Sequence, residues 1–170
     1  MLSNDNKLSK IRSLLKKNDI QYYILPHSDE YQNEFLPDYS KRLEWISNFS
    51  GSAGDIIIGK KEAFLFVDGR YTIQASQEVN RKHFKIYNYS DLSPIDLLKN
   101  KKPKAIGIDG NTLTYQRVAH IKKNIDKSVK IKNIDKNLID QIWFDKPKKK
   151  KSKPFAVGGI NASGKVNYIK

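Results

Sequence analysis

Cysteine is absent from the 170 residues. That one absence excludes disulfides, thiolate metal sites, thiol nucleophiles and iron–sulfur clusters. Long apolar runs are missing as well, and no stretch approaches the roughly 20 residues that a membrane helix needs. The opening Met1-Leu2-Ser3-Asn4-Asp5 has neither the positive nor the apolar segment of a signal peptide, so a cytoplasmic location is the expectation. Arginine is scarce, at Arg12, Arg42, Arg70, Arg81 and Arg117, whereas lysine supplies 27 of the 32 basic residues. Acidic residues are scarce only late in the chain: residues 1–98 hold 13 bases and 13 acids, residues 99–170 hold 19 and 5, and the formal charge of +14 arises entirely there. Bidentate recognition of phosphate and guanine favours Arg. A lysine-rich composition with abundant Ile and Asn is also what an AT-rich coding sequence produces. Nucleic-acid contact is therefore expected to be weak and salt-sensitive.

What is present is the composition of a folded soluble domain, with 38% hydrophobic, 29% charged and 11% aromatic residues. The length suits one domain and the opening of a second. Leu8, Ile11, Leu14 and Leu15 recur at helical spacing and predict an opening amphipathic helix. Ile20 to Leu25 reads as a strand ended by Pro26, and His27 to Tyr39 as an ordered polar loop. Arg42 to Phe49 reads as a short helix. After the small-residue turn Ser50–Gly54, Asp55–Ile58 and Ala63–Val67 flank Gly59-Lys60-Lys61-Glu62, which predicts a β-hairpin. Strand and helix then alternate. Strands are expected at 83–87, 105–109 and 129–134, and helices from Tyr71, from Ser93-Pro94, over 115–125 and over 138–143. Six strands with interleaved helices predict an α/β domain, a mixed sheet covered on both faces.

Lys146 to Lys153, closed by Pro154, is too charged and proline-rich to build a core. It predicts a Lys/Pro-rich linker at 146–154 after a domain at 1–145, with 155–170 as the start of a second domain.

Several motifs fall short of the chemistry they approach. Gly54 to Lys61 has the spacing of a phosphate-binding loop, but Lys61 stands where a Ser or Thr must hold magnesium, and a strand rather than a helix follows. Gly159 to Val166 fails at the same position. Ser52 resembles an elbow nucleophile, yet Ser50 occupies the first glycine position and the turn enters a strand. His27, His83 and His120 lie far apart with no partner at ligand spacing. Asp29, Glu30, Glu34 and Asp38 read as a solvated acidic loop rather than a hard-cation site. Asp68-Gly69-Arg70-Tyr71 is different. It follows the carboxyl end of an apolar strand, where open α/β sheets place ligand-contacting residues, and it contains one of the few arginines. On the motif alone a ligand contact and a local Asp68–Arg70 pair are equally open.

Taken together, Asp29 to Phe35, Lys41-Arg42, Trp45 to Gly54 and Phe66 to Ala75 resemble, in order and spacing, the N-terminal domain of Xaa-Pro aminopeptidases. Ile106 to Asp109 and Asn137 to Pro147 resemble that family's next strand and interdomain junction, so the likeness spans about residues 8–147. The lysine run Lys148–Lys151 departs from the family's usual junction. The resemblance implies the creatinase/prolidase N-terminal fold. It also implies a non-catalytic part of a metallopeptidase that removes a residue preceding proline, with no catalytic or metal residue in this chain. In the family, two divalent ions, commonly manganese, sit in a C-terminal catalytic domain. That domain and a peptide with proline second are the implied partners, and homodimerisation stays open. Arg70 is implied as a substrate-binding residue, with Asp68, Gly69 and Tyr71 supporting its loop. The competing class is a stand-alone basic module engaging nucleic acid or another polyanion through the lysine-rich second part.

Overall fold

Helix α1 (Asn4–Lys17) forms where the leucine and isoleucine stripe leads the sequence to expect it, with Asp5 in its first turn and Lys16 and Lys17 in its last, each matched to the helix dipole. The computed structural model describes residues 4–149. After α1 the chain turns through Asp19, held at φ 49°, and enters β1 (Tyr22–Pro26). A 3-10 turn (Asp38–Ser40) and α2 (Arg42–Ser47) follow, α2 ending on Asn48 in the left-handed region at φ 66°. Strands β2 (Asp55–Gly59) and β3 (Ala63–Val67) are joined by the expected hairpin, closed by the Gly59 N–H on the Glu62 carbonyl. The remaining elements are α3 (Thr72–Glu78), β4 (Lys85–Asn88), α4 (Pro94–Lys101), β5 (Ala105–Ile108), α5 (Tyr115–Asn124) and β6 (Lys130–Asn133). Ser93 and Thr114 cap α4 and α5, their hydroxyls accepting from the N–H groups of Asp96 and Arg117.

The six strands make one sheet in the order β4-β3-β2-β1-β5-β6. Only β2 runs against the rest: β1 pairs antiparallel with it and parallel with β5, while β3–β4 and β5–β6 are parallel. Strand alternation then divides the core into two clusters. Tyr23, Leu25, Ile56, Ile58 and Leu65 pack against α1, α2 and α3; Ile24, Ile57, Phe64, Phe66 and Ile106 pack against α4 and α5. Helices thus cover both faces, as the α/β reading requires. Pro26 is tolerated at the end of a central strand because β5 pairs with β1 only at Tyr22 and Tyr23, leaving no ladder bond for the missing N–H. In mid-sheet, a Cβ on Gly107 would stand 2.4 Å from Ile20 Cδ1 and 3.2 Å from Tyr23 Cδ2, so packing demands glycine there. Among the described residues no helix is long and apolar enough to cross a membrane.

One expected element is corrected. Residues 138–142 form consecutive turns, and no helix spans 138–143. Isolated backbone bonds close its turns, Gln141 N–H to Asn137 O, and Ile142 and Trp143 N–H to Ile139 O, without a continuous ladder. Side chains fix it further: Asn137 accepts from the Ile139 N–H through Oδ1 and donates through Nδ2 to Asp109, and Asp140 takes both arms of Arg42 at 2.9 Å. Its apolar side chains Leu138, Ile139, Ile142 and Trp143 are buried, and Trp143 stacks on Trp45 at 5.4 Å. Of the expected linker, Lys146 pairs with Asp140 at 2.9 Å, and Lys149 reaches the Tyr31 hydroxyl at 2.7 Å. The expected second domain at 155–170 lies outside the described residues.

Candidate functional site

Five strands, β1, β3, β4, β5 and β6, end at the same edge of the sheet, and the Asp68–Tyr71 motif emerges there from the fully buried β3. Asp68 leaves the strand extended (φ −82°, ψ 170°), and its carboxylate accepts from the Arg70 N–H at 2.9 Å, capping a 3-10 turn (Gly69–Tyr71) that runs into α3. The same carboxylate takes Arg70 Nη2 at 2.7 Å and Nε at 3.2 Å. The guanidinium holds the Asp68 carboxyl below the usual carboxylate range, and Asp68 raises the guanidinium in return. The Arg70 side chain is nevertheless 76% exposed. A guanidinium has five N–H donors, and Asp68 engages Nε and one hydrogen of Nη2, which leaves the Nη1 side of the fork facing outward. Asp68 therefore orients the fork without exhausting it.

Tyr71 anchors the motif from the other side. Its hydroxyl lies 2.7 Å from Ser52 Oγ, its ring meets Phe49 edge-on at 5.8 Å, and the Arg70 guanidinium lies 5.4 Å from the ring centroid. Ser52 thus ties the Ser50–Gly54 turn to the motif, and its partner is a tyrosine rather than the histidine that nucleophilic chemistry needs. That turn is held further by Glu78, which accepts from the Ser50 N–H and Oγ at 2.7 and 2.8 Å. Gly69 is not demanded by crowding, because a Cβ there would meet only the Asn88 amide at an ordinary 3.6 Å. Glu34 adds to the field on Arg70. Phe35 beside it and Ile73 in the first turn of α3 are 81% and 73% exposed.

Of the acidic loop, Glu30, Glu34 and Asp38 are exposed, as a solvated loop requires, and only Asp29 departs from that expectation. Asp29 is fully buried and accepts from the N–H groups of Tyr31 and Asn33 and from Asn33 Nδ2. Burial pushes its carboxyl up, but these bonds hold it below the usual range. Asp29 is the loop's internal staple. His83 meets Asp5 at 3.2 Å and His120 lies one turn from Asn124 on α5, while burial holds the His27 imidazole down. Among the described residues no group of three or more His, Cys, Asp and Glu side chains is placed to hold a metal ion.

Sequence reasoning missed a second polar constellation at this edge. Asp55, buried at the start of β2, accepts from the Tyr89 hydroxyl at 2.7 Å and from Arg117 Nη2 of α5. Burial and then Asp55 push the Tyr89 phenol far up; Asp55 holds the Arg117 guanidinium above its ordinary value although burial pulls it down. The trio closes one end of a cavity of about 230 Å³ between α4 and α5. The scarcity of arginine was the available signal. Arg117 faces the buried Asp55 and Arg42 the half-buried Asp140, whereas the Arg70 fork looks outward.

Residues 7–142 match the model of the creatinase/prolidase N-terminal domain. A probable Xaa-Pro aminopeptidase P from Laccaria bicolor is 32% identical over 161 residues, covering 91% of this chain and 25% of that protein. An aminopeptidase P1 from Lotus japonicus is 32% identical over 149 residues, covering 84% and 22%. Among solved structures, an X-prolyl aminopeptidase from Caenorhabditis elegans, described as a cytosolic enzyme with a di-nuclear active site, superposes with a TM-score of 0.80 at 28% identity, over 86% of this chain and 26% of that one. The N-terminal domain of the cytoplasmic peptidase PepQ from Mycobacterium tuberculosis shares the fold alone, at a TM-score of 0.62 and 16% identity, over 80% of this chain and 97% of that one. The chain thus spans about a quarter of the length of the curated relatives it matches. With the six-stranded mixed sheet in place, a family match over most of the chain establishes that it belongs to the creatinase/prolidase N-terminal domain family.

Proposed function

We propose that this chain is the non-catalytic N-terminal domain of a cytoplasmic metallopeptidase that removes an N-terminal residue preceding proline, and that it supplies the substrate-side contact Arg70. The observation that carries this reading is the outward fork of Arg70, oriented by Asp68 at the carboxyl edge of the sheet within a motif the chain shares by resemblance with Xaa-Pro aminopeptidases. The free side of the fork can donate two parallel hydrogen bonds to a peptide carbonyl or carboxylate. Tyr71 and Ser52 fix the loop that presents it. The exposed Phe35 and Ile73 supply apolar area for contact with a catalytic domain elsewhere in the protein. The metal ions, manganese by resemblance, belong to that domain. No step of bond cleavage falls on residues described here; their part is to bind and orient.

Steady-state kinetics on an Xaa-Pro peptide with the complete protein, alongside metal analysis of each variant, tests the proposal. Arg70→Ala is expected to lower kcat/KM roughly ten- to a hundredfold, as losing charge-assisted hydrogen bonds does, with metal content intact. Arg70→Lys keeps the charge but loses the planar fork, so it should behave like Arg70→Ala. Unchanged kcat/KM in Arg70→Ala would leave this arginine as a loop-fixing partner of Asp68 only.

A further inference from the structure

The opposite, amino-terminal edge of the sheet is built very differently. There the β2–β3 turn, the end of α4 and the link into β5 surround a cavity of about 450 Å³ walled by Lys60, Lys61, Lys101, Lys102 and Lys104, with Tyr22 at one side. One carboxylate enters it, Glu62, and it is already engaged: Lys101 lies against Oε1, the Tyr22 hydroxyl donates to Oε1 at 3.1 Å, and Lys85 approaches Oε2 at 3.6 Å. Burial pushes the Glu62 carboxyl up, but these cations and the hydroxyl hold it below the usual range. Lys60, Lys61, Lys102 and Lys104 are exposed and form no ion pair within 4 Å among the described residues, although the Lys102 charge acts on Asp126 from farther off. Lys102 stands at φ 46°, a helix-ending position where glycine is the less strained residue, so a charged side chain is held there at some conformational cost.

We infer that this lysine-walled cavity binds a compact polyphosphate anion. Its volume lies in the range of small-ligand sites and is too small for a nucleic-acid duplex, and four ammonium groups without a close ion pair around one hollow concentrate positive potential inside it. No guanidinium lines it, which disfavours planar recognition of a carboxylate or a base edge. Phosphate oxygens accept from compact ammonium charges in any direction, so a short phosphate chain can meet several lysines at once. Lys60 and Lys61 come from the electrically neutral first part of the sequence. The site is therefore a product of the fold and not of the lysine-rich tail, and it rests on neither Arg70 nor the peptidase reading.

Titrating the isotope-labelled chain with inorganic tripolyphosphate at near-physiological salt tests this by NMR. The expected result is saturable one-to-one binding that shifts the amides of residues 59–62 and 101–104. Lys60→Ala combined with Lys102→Ala should weaken it at least about tenfold without an appreciable loss in Tm, since neither exposed side chain makes a hydrogen bond or an ion pair within 4 Å. Lys122→Ala with Lys123→Ala, on α5, should leave it unchanged, as should Lys150→Ser with Lys151→Ser and Lys153→Ser. Non-saturating shifts, shifts that vanish with the tail substitutions, or a single-stranded oligonucleotide that displaces tripolyphosphate with length-dependent affinity would each overturn the inference.

Discussion

Each arginine that meets a buried carboxylate does so to settle a structural debt of burial, and Arg42 shows how. Its Nε and Nη2 take both oxygens of Asp140 at 2.9 Å, Lys146 joins at 2.9 Å, and Arg42 and Asp140 are both largely buried. Burial pushes the Asp140 carboxyl up, but Arg42 and Lys146 hold it below the usual range. Removing that carboxylate strands a buried guanidinium, so Asp140→Asn is expected to destabilise the fold by about 3 kcal/mol at neutral pH. A depressed folded-state pKa stabilises above the unfolded value, near 4, and that contribution fades as pH falls through the folded one. The gap between wild type and Asp140→Asn in urea denaturation should thus be full at pH 6 and shrink below about pH 4. A pH-independent gap would show that the pair does not titrate. His27, whose imidazole burial holds down, is common to both proteins and cancels in the comparison. At Gly107 the expectation is steric: Gly107→Ala overpacks Ile20 and Tyr23 and should cost about 1–3 kcal/mol in the same assay, since both neighbours are fully buried.

At the scale of elements, periodicity read well wherever one face was apolar and a cap or turn residue marked the end. The leucine stripe of α1, the Ser93-Pro94 start of α4 and the Lys60-Lys61 hairpin all appear where the sequence puts them. β4 and β6 are shorter than the apolar runs that announced them, because edge strands pair on one side only. Residues 138–143 have helical spacing and yet form turns and no continuous ladder, since side-chain bonds to Asp109 and Arg42, far away in sequence, fix the segment. The Asp55–Tyr89–Arg117 trio was illegible for the same reason: its members come from β2, the stretch before α4, and α5. The place of Asp68–Tyr71 at the end of β3 was legible because a strand end and its motif are contiguous. The turn segment's weight is testable through its tryptophan. Trp143→Ala removes a buried ring stacked on Trp45 and should cost about 3–5 kcal/mol, whereas Phe144→Ala, at a ring 80% exposed, should change stability little. Equal Tm shifts for the two would show that the segment is not part of the core.

For the whole molecule, the parallel strands create two unlike edges. Carboxyl ends bring together Asp29, Asp55, Asp68 and Arg70; amino ends and the hairpin turn bring together lysines. The five lysines that meet at the amino edge are set there by the fold, and the formal charge of +14, which arises in residues 99–170, does not by itself mark that edge. The same division bears on catalysis. Relatives about four times as long share only this portion with the chain, and the portion contributes an oriented cation but no group of side chains able to hold a metal among the described residues. Cleaving an X-Pro bond requires an activated water and a stabilised oxyanion, and one exposed arginine provides neither a base nor a metal for the first. The purified 170-residue chain supplied with manganese should therefore show no turnover of an Xaa-Pro peptide above buffer and no stoichiometric metal uptake by calorimetry. Turnover that follows added manganese would place a catalytic centre within these residues and sink the division of labour proposed for Arg70. Inactivity with weak, saturable peptide binding that Arg70→Ala abolishes would instead locate the substrate contact on this domain, independent of any metal.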